Sequence, residues 1–392
     1  MPRLAPWAFA LLLVGCTTTR EPPPTTAPPV PRLEPVTWSQ IPGWNVDTIA
    51  EAWPAILASC ASSRLPTEWR GTCDAARAVR TGDTNAQRQL LESTLRAWQV
   101  TTQVPGQKGS VQTGLITGYY EPVLSGARKK GGPFQTPLYS VPDDLLTIDL
   151  GDLYPSLKGE RVRGRLQGRR VVPYPDRALL ADGKLLAGKE LVWVDSPIDA
   201  FFLQIQGSGR VQLTDGTTVR LAYADVNGQP YRAIGRQLVA DGEMTVEQAT
   251  APGIRQWLLD HPERAPAVLN SNPSVVFFRE EKITDPSLGP RGSLGVPLTA
   301  GRSVAIDSRI LPLGAPLFLS TTHPISGEPL RRLVVGQDTG GAIRGAIRAD
   351  LFLGLGPEAG DLAGRMRSDG QLWLLWPRDH TPPVTGNSAA GN

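Results

Sequence analysis

Apolar residues in the first third of the chain recur every three or four positions, which predicts amphipathic helices. Two stripes show this spacing: Ile49, Trp53, Ile56, Leu57 and Cys60, then Leu90, Leu91, Leu95 and Trp98. We expect both stripes to pack into a hydrophobic core, with the polar positions between them facing solvent.

The pattern changes after these helices. From residue 117 to about 221 the chain reads as short runs of Val, Leu and Thr, broken by Gly, Pro and turns such as Asp182-Gly183 and Asp215-Gly216, which predicts a β-domain. Helices are predicted around residues 233–238, 246–259 and 263–269, before a second β-rich run over 275–376. A helix start is predicted at Pro357. The fold class is therefore mainly β with flanking helices.

The amino terminus has the character of a lipoprotein signal peptide. Arg3 precedes an apolar stretch over residues 4–14 that ends in Gly15-Cys16, too short to cross a bilayer but long enough for a signal sequence. We expect residues 1–16 to be the signal peptide, with Cys16 lipidated as the first mature residue; an ordinary signal peptide with an incidental cysteine is the alternative. The Pro/Thr-rich residues 17–40 would form an extended tether.

Composition narrows the class of protein. Charged residues make up 20% of the 392 residues and the net charge is only +3, so neither a polytopic membrane protein nor a nucleic-acid partner is indicated. The length favours two domains. Cys60 and Cys73 would form a disulfide in an oxidising compartment, or remain free thiols on packed helices; the sequence leaves both open.

The available side chains favour carboxylate chemistry. Only His261, His323 and His380 could serve a metal or a catalytic triad, and they are far apart, so we predict neither a metal nor a cofactor. No nucleotide-binding motif is present. The remaining candidates are acids beside apolar, strand-like residues in the last third: Asp307, Asp338 and Asp350.

Asp338 is the strongest of these candidates. Burial at the end of a strand would raise its pKa and keep it protonated near neutral pH, as a general acid requires. Gly340 and Gly341 follow it, which leaves room for a sugar ring and permits a positive φ. The alternative is a structural turn, because Asp-Thr-Gly is a common turn composition.

Several longer motifs occur in a definite order: Thr117-Gly118-Tyr119-Tyr120-Glu121-Pro122, Pro137-Leu138-Tyr139, Gln204-Ile205-Gln206-Gly207-Ser208-Gly209, Asn272-Pro273-Ser274-Val275-Val276-Phe277-Phe278, Asp307-Ser308-Arg309-Ile310-Leu311-Pro312-Leu313-Gly314 and the run 336–356. Together they resemble the membrane-bound lytic murein transglycosylase A family, with its carboxy-terminal three-aspartate ("3D") domain, over residues 117–376.

The resemblance implies a double-psi β-barrel with an inserted second β-domain and a groove between them. The main domain would cover residues 41–120 and 235–376, with the 3D region at about 295–376. The inserted domain would cover 121–234, and residues 377–392 would form a flexible tail.

The resemblance also implies an activity and a set of site residues. Asp338 matches the catalytic aspartate, with Asp307 and Asp350 in support, either by charge repulsion or by ordering the loop. The enzyme would cleave between N-acetylmuramic acid and N-acetylglucosamine, leaving 1,6-anhydromuramyl ends, as a monomer on the periplasmic face of the outer membrane. Sugars need neutral polar groups and close approach, which predicts these contacts: Thr117, Tyr119, Tyr120, Gln204, Gln206, Gly207, Ser208 and Ser303.

Details of these contacts follow from strand geometry. Neighbouring strand residues face opposite ways, so one of Tyr119 and Tyr120 is expected to pack in the core, whereas Gln204 and Gln206 are expected to share a strand face.

Two other functions remain open. An aspartic protease would use the Asp338-Thr339-Gly340 motif, but it needs a second such motif. A noncatalytic lipoprotein that binds peptidoglycan is the other.

Overall fold

The computed structural model describes residues 29–157 and 162–383. The strands are, in chain order, β1 (Val30–Val36), β2 (Leu95–Gln103), β3 (Ser110–Val111), β4 (Gly114–Glu121), β5 (Val123–Ala127), β6 (Thr136–Tyr139), β7 (Leu146–Thr147), β8 (Arg163–Gln167), β9 (Arg170–Pro173), β10 (Glu190–Val194), β11 (Ser208–Leu213), β12 (Thr218–Val226), β13 (Val276–Glu281), β14 (Ser303–Ile306), β15 (Pro316–Thr322), β16 (Pro329–Asp338), β17 (Ala349–Leu355) and β18 (Arg367–Pro377).

The helices are α1 (Trp53–Cys60), α2 (Arg70–Ala78), α3 (Thr84–Thr94), α4 (Arg177–Leu180), α5 (Pro197–Gln206), α6 (Ile234–Ala240), α7 (Ala251–Asp260), α8 (Ala265–Asn270) and α9 (Gly356–Arg365). Short 3-10 helices cover Trp38–Gln40, Trp44–Val46, Ile49–Glu51, Thr67–Trp69, Pro155–Leu157 and Lys184–Leu186. None of the helices in the described ranges is long and apolar enough to cross a bilayer.

Six strands close into a barrel in the order β4-β17-β14-β16-β15-β18, and β18 pairs again with β4. Two of these pairs, β14 with β16 and β17 with β4, are parallel, whereas the other four are antiparallel. Strands β14 and β17 of the barrel carry apolar residues at most positions, which is typical of strands that are buried on both faces. The predicted mainly β class with a closed barrel is confirmed.

The amino-terminal helices cover the outside of this barrel. Trp44 packs edge-on against Phe318 of β15, with ring centroids 5.6 Å apart, and Trp69 does the same against Trp376 of β18. The first predicted apolar stripe is confirmed as α1 and the turn before it. The second is confirmed only in part: α3 ends at Thr94, and the residues that follow pair as β2 with β1 and β18.

The prediction of an extended tether is wrong for residues 30–36. They form β1 and pair with β2 in antiparallel register, Val30 opposite Gln103 and Val36 opposite Ala97. Proline is tolerated there because β1 is an edge strand, where a missing N–H costs no sheet hydrogen bond. The signal peptide, Cys16, residues 17–28 of the tether and residues 384–392 of the tail lie outside the described residues.

A disulfide joins α1 to α2. Cys60 and Cys73 lie 5.4 Å apart between Cα atoms and are bonded through sulfur. Of the two arrangements that the sequence left open, the structure has the bridge.

The second β-rich body is a six-stranded sheet in the order β13-β12-β11-β5-β10-β6, with a small sheet β7-β8-β9 beside it. Helix α5 packs on the larger sheet, and α6, α7 and α8 pack against α5. The sheet includes β13, which follows the three helices in sequence. The three predicted helices are confirmed, as is the helix predicted to start at Pro357.

Candidate active site

Barrel pairing brings two of the three candidate aspartates to neighbouring positions. Ala305 of β14 lies opposite Asp338 on one side and opposite Asp350 on the other. Asp350 in turn lies opposite Thr117 of β4. A single row across four strands therefore contains both carboxylates and the first predicted glycan contact, and both carboxylates are only partly buried.

Asp338 is the last residue of β16, and its two carboxylate oxygens have different surroundings. Oδ1 accepts hydrogen bonds from the Ser293 amide at 2.9 Å, the Ser293 hydroxyl at 3.0 Å and the Thr339 amide at 2.9 Å. Oδ2 accepts one hydrogen bond, from the Tyr119 hydroxyl at 3.0 Å. Oδ1 is thus saturated, whereas Oδ2 retains capacity for a further partner.

Burial raises the pKa of Asp338, and the donors from Ser293, Thr339 and Tyr119 oppose this rise without cancelling it. Burial disfavours the charged form, while hydrogen bonds to the carboxylate favour it. A group balanced in this way can give up a proton and still be stabilised as the anion, which suits a residue that serves as acid and then as base.

Asp350 has a similar electrostatic setting. Burial raises its pKa, the Thr117 hydroxyl lowers it through a 2.5 Å hydrogen bond to Oδ1, and the charge of Arg348 also lowers it. The nearby charge of Asp338 acts in the opposite direction and raises it. The charge of Asp338 therefore acts on Asp350, whereas the rise in the pKa of Asp338 itself comes from burial.

Asp307 is different, because it is 1% exposed and ion-paired. The Arg309 guanidinium donates from Nε at 2.9 Å and from Nη2 at 2.8 Å, and the Gly345 amide donates to Oδ2 at 2.9 Å. Burial tends to raise its pKa, but these hydrogen bonds outweigh burial and lower it. Asp307 therefore remains ionised and orders the loop that returns from Asp338.

Tyr119 and Tyr120 face opposite ways, as strand alternation predicted. Tyr119 points to Asp338 and packs on Phe352, with ring centroids 5.4 Å apart. Tyr120 packs against Gly360 of α9, where an added Cβ would come within 2.9 Å of the ring. The amide of Tyr120 donates to Gln206 Oε1 at 3.1 Å, which joins β4 to α5.

Three of the predicted contact residues need correction. Gln204 and Gln206 lie on α5 and not on a strand, because Ser196 caps the helix, Pro197 opens it and Gly207, at φ +81°, ends it. Ser303 has no exposed surface and is hydrogen-bonded within the barrel, so it cannot contact a substrate.

The glycines after Asp338 also differ from expectation. Gly340 and Gly341 do not have a positive φ, although Gly345 at the end of the same loop does, at +112°. A side chain on Gly341, three residues after the acid, would meet no atom within 4 Å, so this position borders open space. Ser208, the remaining predicted contact, begins β11 opposite Ala222.

Sequence reasoning missed Ser293, which supplies two of the four donors to Asp338. Its only sequence signal is its position between glycines, in Gly292-Ser293-Leu294-Gly295. A Cβ at Gly292 would lie 2.5 Å from the carbonyl oxygen of Gln337, so glycine is required for this loop to approach Asp338.

A buried charge cluster joins the two segments that hold Asp338. Glu121, fully buried, accepts hydrogen bonds from Arg210 at 3.0 Å and from Arg220 at 2.6 Å. Both arginines also donate to the Leu288 carbonyl, at 2.8 and 2.7 Å. Glu121 lies two residues after Tyr119, and Leu288 five residues before Ser293, so this cluster positions both groups that contact the acid.

Comparison with known proteins agrees with this architecture. Residues 115–279 match the "MltA specific insert domain" and residues 302–376 match the "3D domain". Membrane-bound lytic murein transglycosylase A of Escherichia coli K12 is 34% identical over 318 residues, which cover 79% of this chain and 75% of that protein.

This chain belongs to the membrane-bound lytic murein transglycosylase A family. The crystal structure of MltA from Neisseria gonorrhoeae in a monoclinic form is similar, with a TM-score of 0.77 at 33% identity, covering 92% of this chain and 97% of that one. The structure of E. coli MltA with bound chitohexaose has a TM-score of 0.65 at 28% identity and covers 90% and 92% of the two chains. The family's 3D domain contains all three of the aspartates described above.

Proposed function

We propose that this protein is a lytic transglycosylase that cleaves the β-1,4 bond between N-acetylmuramic acid and N-acetylglucosamine in peptidoglycan. Asp338 would act alone as general acid and then as general base. The observation that carries this proposal is the carboxyl group of Asp338: its pKa is raised by burial, the residue is partly exposed, and Oδ2 accepts one hydrogen bond, from Tyr119, so it retains acceptor capacity.

The reaction needs no captured water. Protonated Asp338 gives its proton to the glycosidic oxygen, the C1–oxygen bond breaks, and the bonding electrons remain on the departing N-acetylglucosamine. The C6 hydroxyl oxygen of the muramyl residue then forms a bond to C1, and its proton passes to the ionised Asp338. The acid is regenerated, and the product carries a 1,6-anhydro ring.

This route favours one carboxylate over two. The nucleophile belongs to the substrate, so proximity replaces the oriented water or enzyme nucleophile that a hydrolase requires. Asp350 would assist from the same row of the barrel, where burial and the charge of Asp338 raise its pKa and the Thr117 hydroxyl holds its carboxylate. Asp307 would assist by holding the loop.

The glycan would lie in a groove between the six-stranded barrel and the second β-rich body, whose sheet runs from β5 to β13. The E. coli relative with chitohexaose bound supports a glycan ligand for this chain. Thr117, Tyr119, Gln206 and Ser208 remain candidates to contact it.

We further propose that acyl chains on Cys16 anchor the protein to the periplasmic face of the outer membrane.

The decisive experiment incubates the purified mature protein with peptidoglycan sacculi and determines the masses of the soluble products. Anhydromuramyl ends, lighter by one water than hydrolysed ends, are expected. Hydrated ends would indicate a hydrolase, and sacculi that are bound but remain intact would indicate a noncatalytic binder. Cleaved peptide bonds would indicate the protease alternative.

A matched pair of variants tests the assignment of the acid. Asp338→Asn keeps the size and the acceptor at Oδ1 but cannot transfer the proton, so it should abolish lysis and retain sacculus binding. Asp307→Asn, which alters the loop and leaves the acid in place, should lower the rate without abolishing it. Lysis by Asp338→Asn would move the catalytic acid elsewhere.

A further inference from the structure

A cavity lies outside the candidate active site, between α5 and the helices α7 and α8. Its volume is about 380 Å³, within the range of small-ligand pockets. Most of its wall is apolar, including Ile198, Phe201, Leu258 and Leu269. Leu259 lines it too and is 52% exposed, so the cavity opens to solvent.

One cation lines this apolar cavity. The guanidinium of Arg177 is held by the Asn272 carbonyl at 3.0 Å, by Gln204 Oε1 at 2.9 Å and by the Ser274 carbonyl, and it lies over the Phe201 ring at 4.8 Å. These contacts use Nε and Nη2. Among residues 29–157 and 162–383, Nη1 has no hydrogen-bond partner and no acidic side chain forms an ion pair with Arg177.

A charge removed from water without a counter-ion is unfavourable. Burial lowers the pKa of Arg177 to about 10, which expresses this cost. Elsewhere in the described chain, buried arginines have carboxylate partners: Arg210 and Arg220 pair with Glu121, and Arg302 pairs with Asp47. Arg177 is half-buried and has no such partner among the described residues; half-buried Arg332 and Arg348 also lack one, but Arg177 lines an apolar cavity.

Neighbouring amide side chains add hydrogen-bond donors beside the guanidinium of Arg177. Gln204 uses its oxygen for Arg177, which leaves its amide NH₂ as a donor, and the Asn270 side chain also lines the cavity. A planar carboxylate fits a guanidinium with flanking amide donors. The rest of the ligand must be apolar and short, given the wall and the volume.

We propose that this cavity binds the carboxyl end of a peptidoglycan peptide stem, with Arg177 on the carboxylate and the alanine methyl groups against the apolar wall. The inference rests on the proposed function, because a sacculus presents such carboxylates beside every glycan strand. Helix α5 connects the two sites: Gln204 faces the cavity, and Gln206 contacts the Tyr120 amide, next to the residue that contacts Asp338.

The direct test measures binding of acetyl-Lys-D-Ala-D-Ala to the full mature protein by calorimetry or NMR. Its carboxy-terminal amide serves as the matched control, since it differs only in lacking the charge. The acid should bind at least about ten-fold more tightly than the amide, the loss expected for one charge-assisted hydrogen bond. Equal binding of acid and amide, or no binding of either, would overturn the proposal.

Two variants locate the binding. Arg177→Met should abolish the preference for the acid, but it also removes three structural hydrogen bonds. Ala181→Phe provides an independent test: Ala181 is an exposed residue at the cavity wall, so the larger side chain should block the cavity and leave those bonds intact. Unchanged peptide binding by folded Ala181→Phe would refute the site. Binding of octanoate with no binding of the peptide would also refute the assignment to stems.

A second experiment separates this inference from the proposed function. Wild type and Ala181→Phe are compared on intact sacculi and on glycan strands from which an amidase has removed the stems. The variant should release anhydro products more slowly from sacculi and at the wild-type rate from bare strands. If wild type releases none from either substrate, the proposed function fails, whereas peptide binding still reports on the cavity. Equal rates on both substrates for both proteins would contradict a role of the stem.

Discussion

Removal of the Tyr119 hydroxyl is the sharpest probe of how Asp338 is tuned. In Tyr119→Phe the ring remains packed on Phe352, and only the 3.0 Å hydrogen bond to Asp338 Oδ2 is lost. That bond stabilises the ionised carboxylate and so lowers the pKa of Asp338 against the effect of burial. Without it the pKa must rise.

The size of the effect follows from the bond. A hydrogen bond to a charged acceptor contributes about 1.5 to 3 kcal/mol, and each factor of ten in a protonation equilibrium corresponds to about 1.4 kcal/mol. Asp338 has to be protonated for the first step, so kcat/KM falls as pH rises through its pKa in the free enzyme. In Tyr119→Phe this alkaline limb should therefore move upward by about one to two pH units.

The assay follows release of anhydromuramyl products across pH, with Tyr120→Phe as the matched control. Tyr120 is the adjacent residue on the opposite face of β4, and its ring packs on α9 at Gly360. The control should retain the wild-type limb. An unchanged limb in Tyr119→Phe, a downward movement, or an equal movement in both variants would refute this account of Asp338.

Three further predictions concern stability. Because the pKa of Asp338 is raised in the folded state, its ionisation opposes folding as pH rises through that pKa, so Asp338→Asn should melt at a higher temperature than wild type near neutral pH and lose this advantage in acid. Glu121→Gln leaves two buried arginines without their carboxylate and should cost about 3 to 5 kcal/mol in denaturant unfolding, and a loss under 1 kcal/mol would contradict the positioning role of the cluster. Replacing Cys60 and Cys73 by serine should lower the free energy of unfolding by about 3 kcal/mol, and a reductant should lower that of wild type equally while leaving the variant unchanged.

Features that are local in the chain identified some site residues, whereas long-range contacts decided the others. Asp338 was found because its neighbours in sequence carry a pattern: an apolar strand before it and glycines after it. Ser293 was missed because its hydrogen bonds to Asp338 span 45 positions, and a serine between glycines is otherwise unremarkable. Ser303 was wrongly expected at the surface, because a hydroxyl looks the same in a sequence whether it faces a sugar or another buried polar group.

Helix α5, Pro197–Gln206, was not predicted, although the signals that mark its ends are local in the sequence. Its capping residues were present in the sequence, but the strand-like surroundings outweighed them in the interpretation. With the helix in place, Gln204 and Gln206 no longer form one row of contacts. Gln204 faces the Arg177 cavity, and Gln206 holds the backbone of β4.

The sequence by itself determined the mainly β class, the amino-terminal helix α1 and the identity of the three candidate acids, because periodicity, turn residues and strand-end carboxylates are local properties of a chain. Tertiary structure alone decided which acids act together. Barrel closure aligns β16, β14, β17 and β4, so that Asp338 and Asp350 flank one strand while Asp307 is drawn into an ion pair. Strand register is a long-range property: Tyr119 meets Asp338 across 219 positions of sequence, and only the closed barrel brings them within hydrogen-bonding distance.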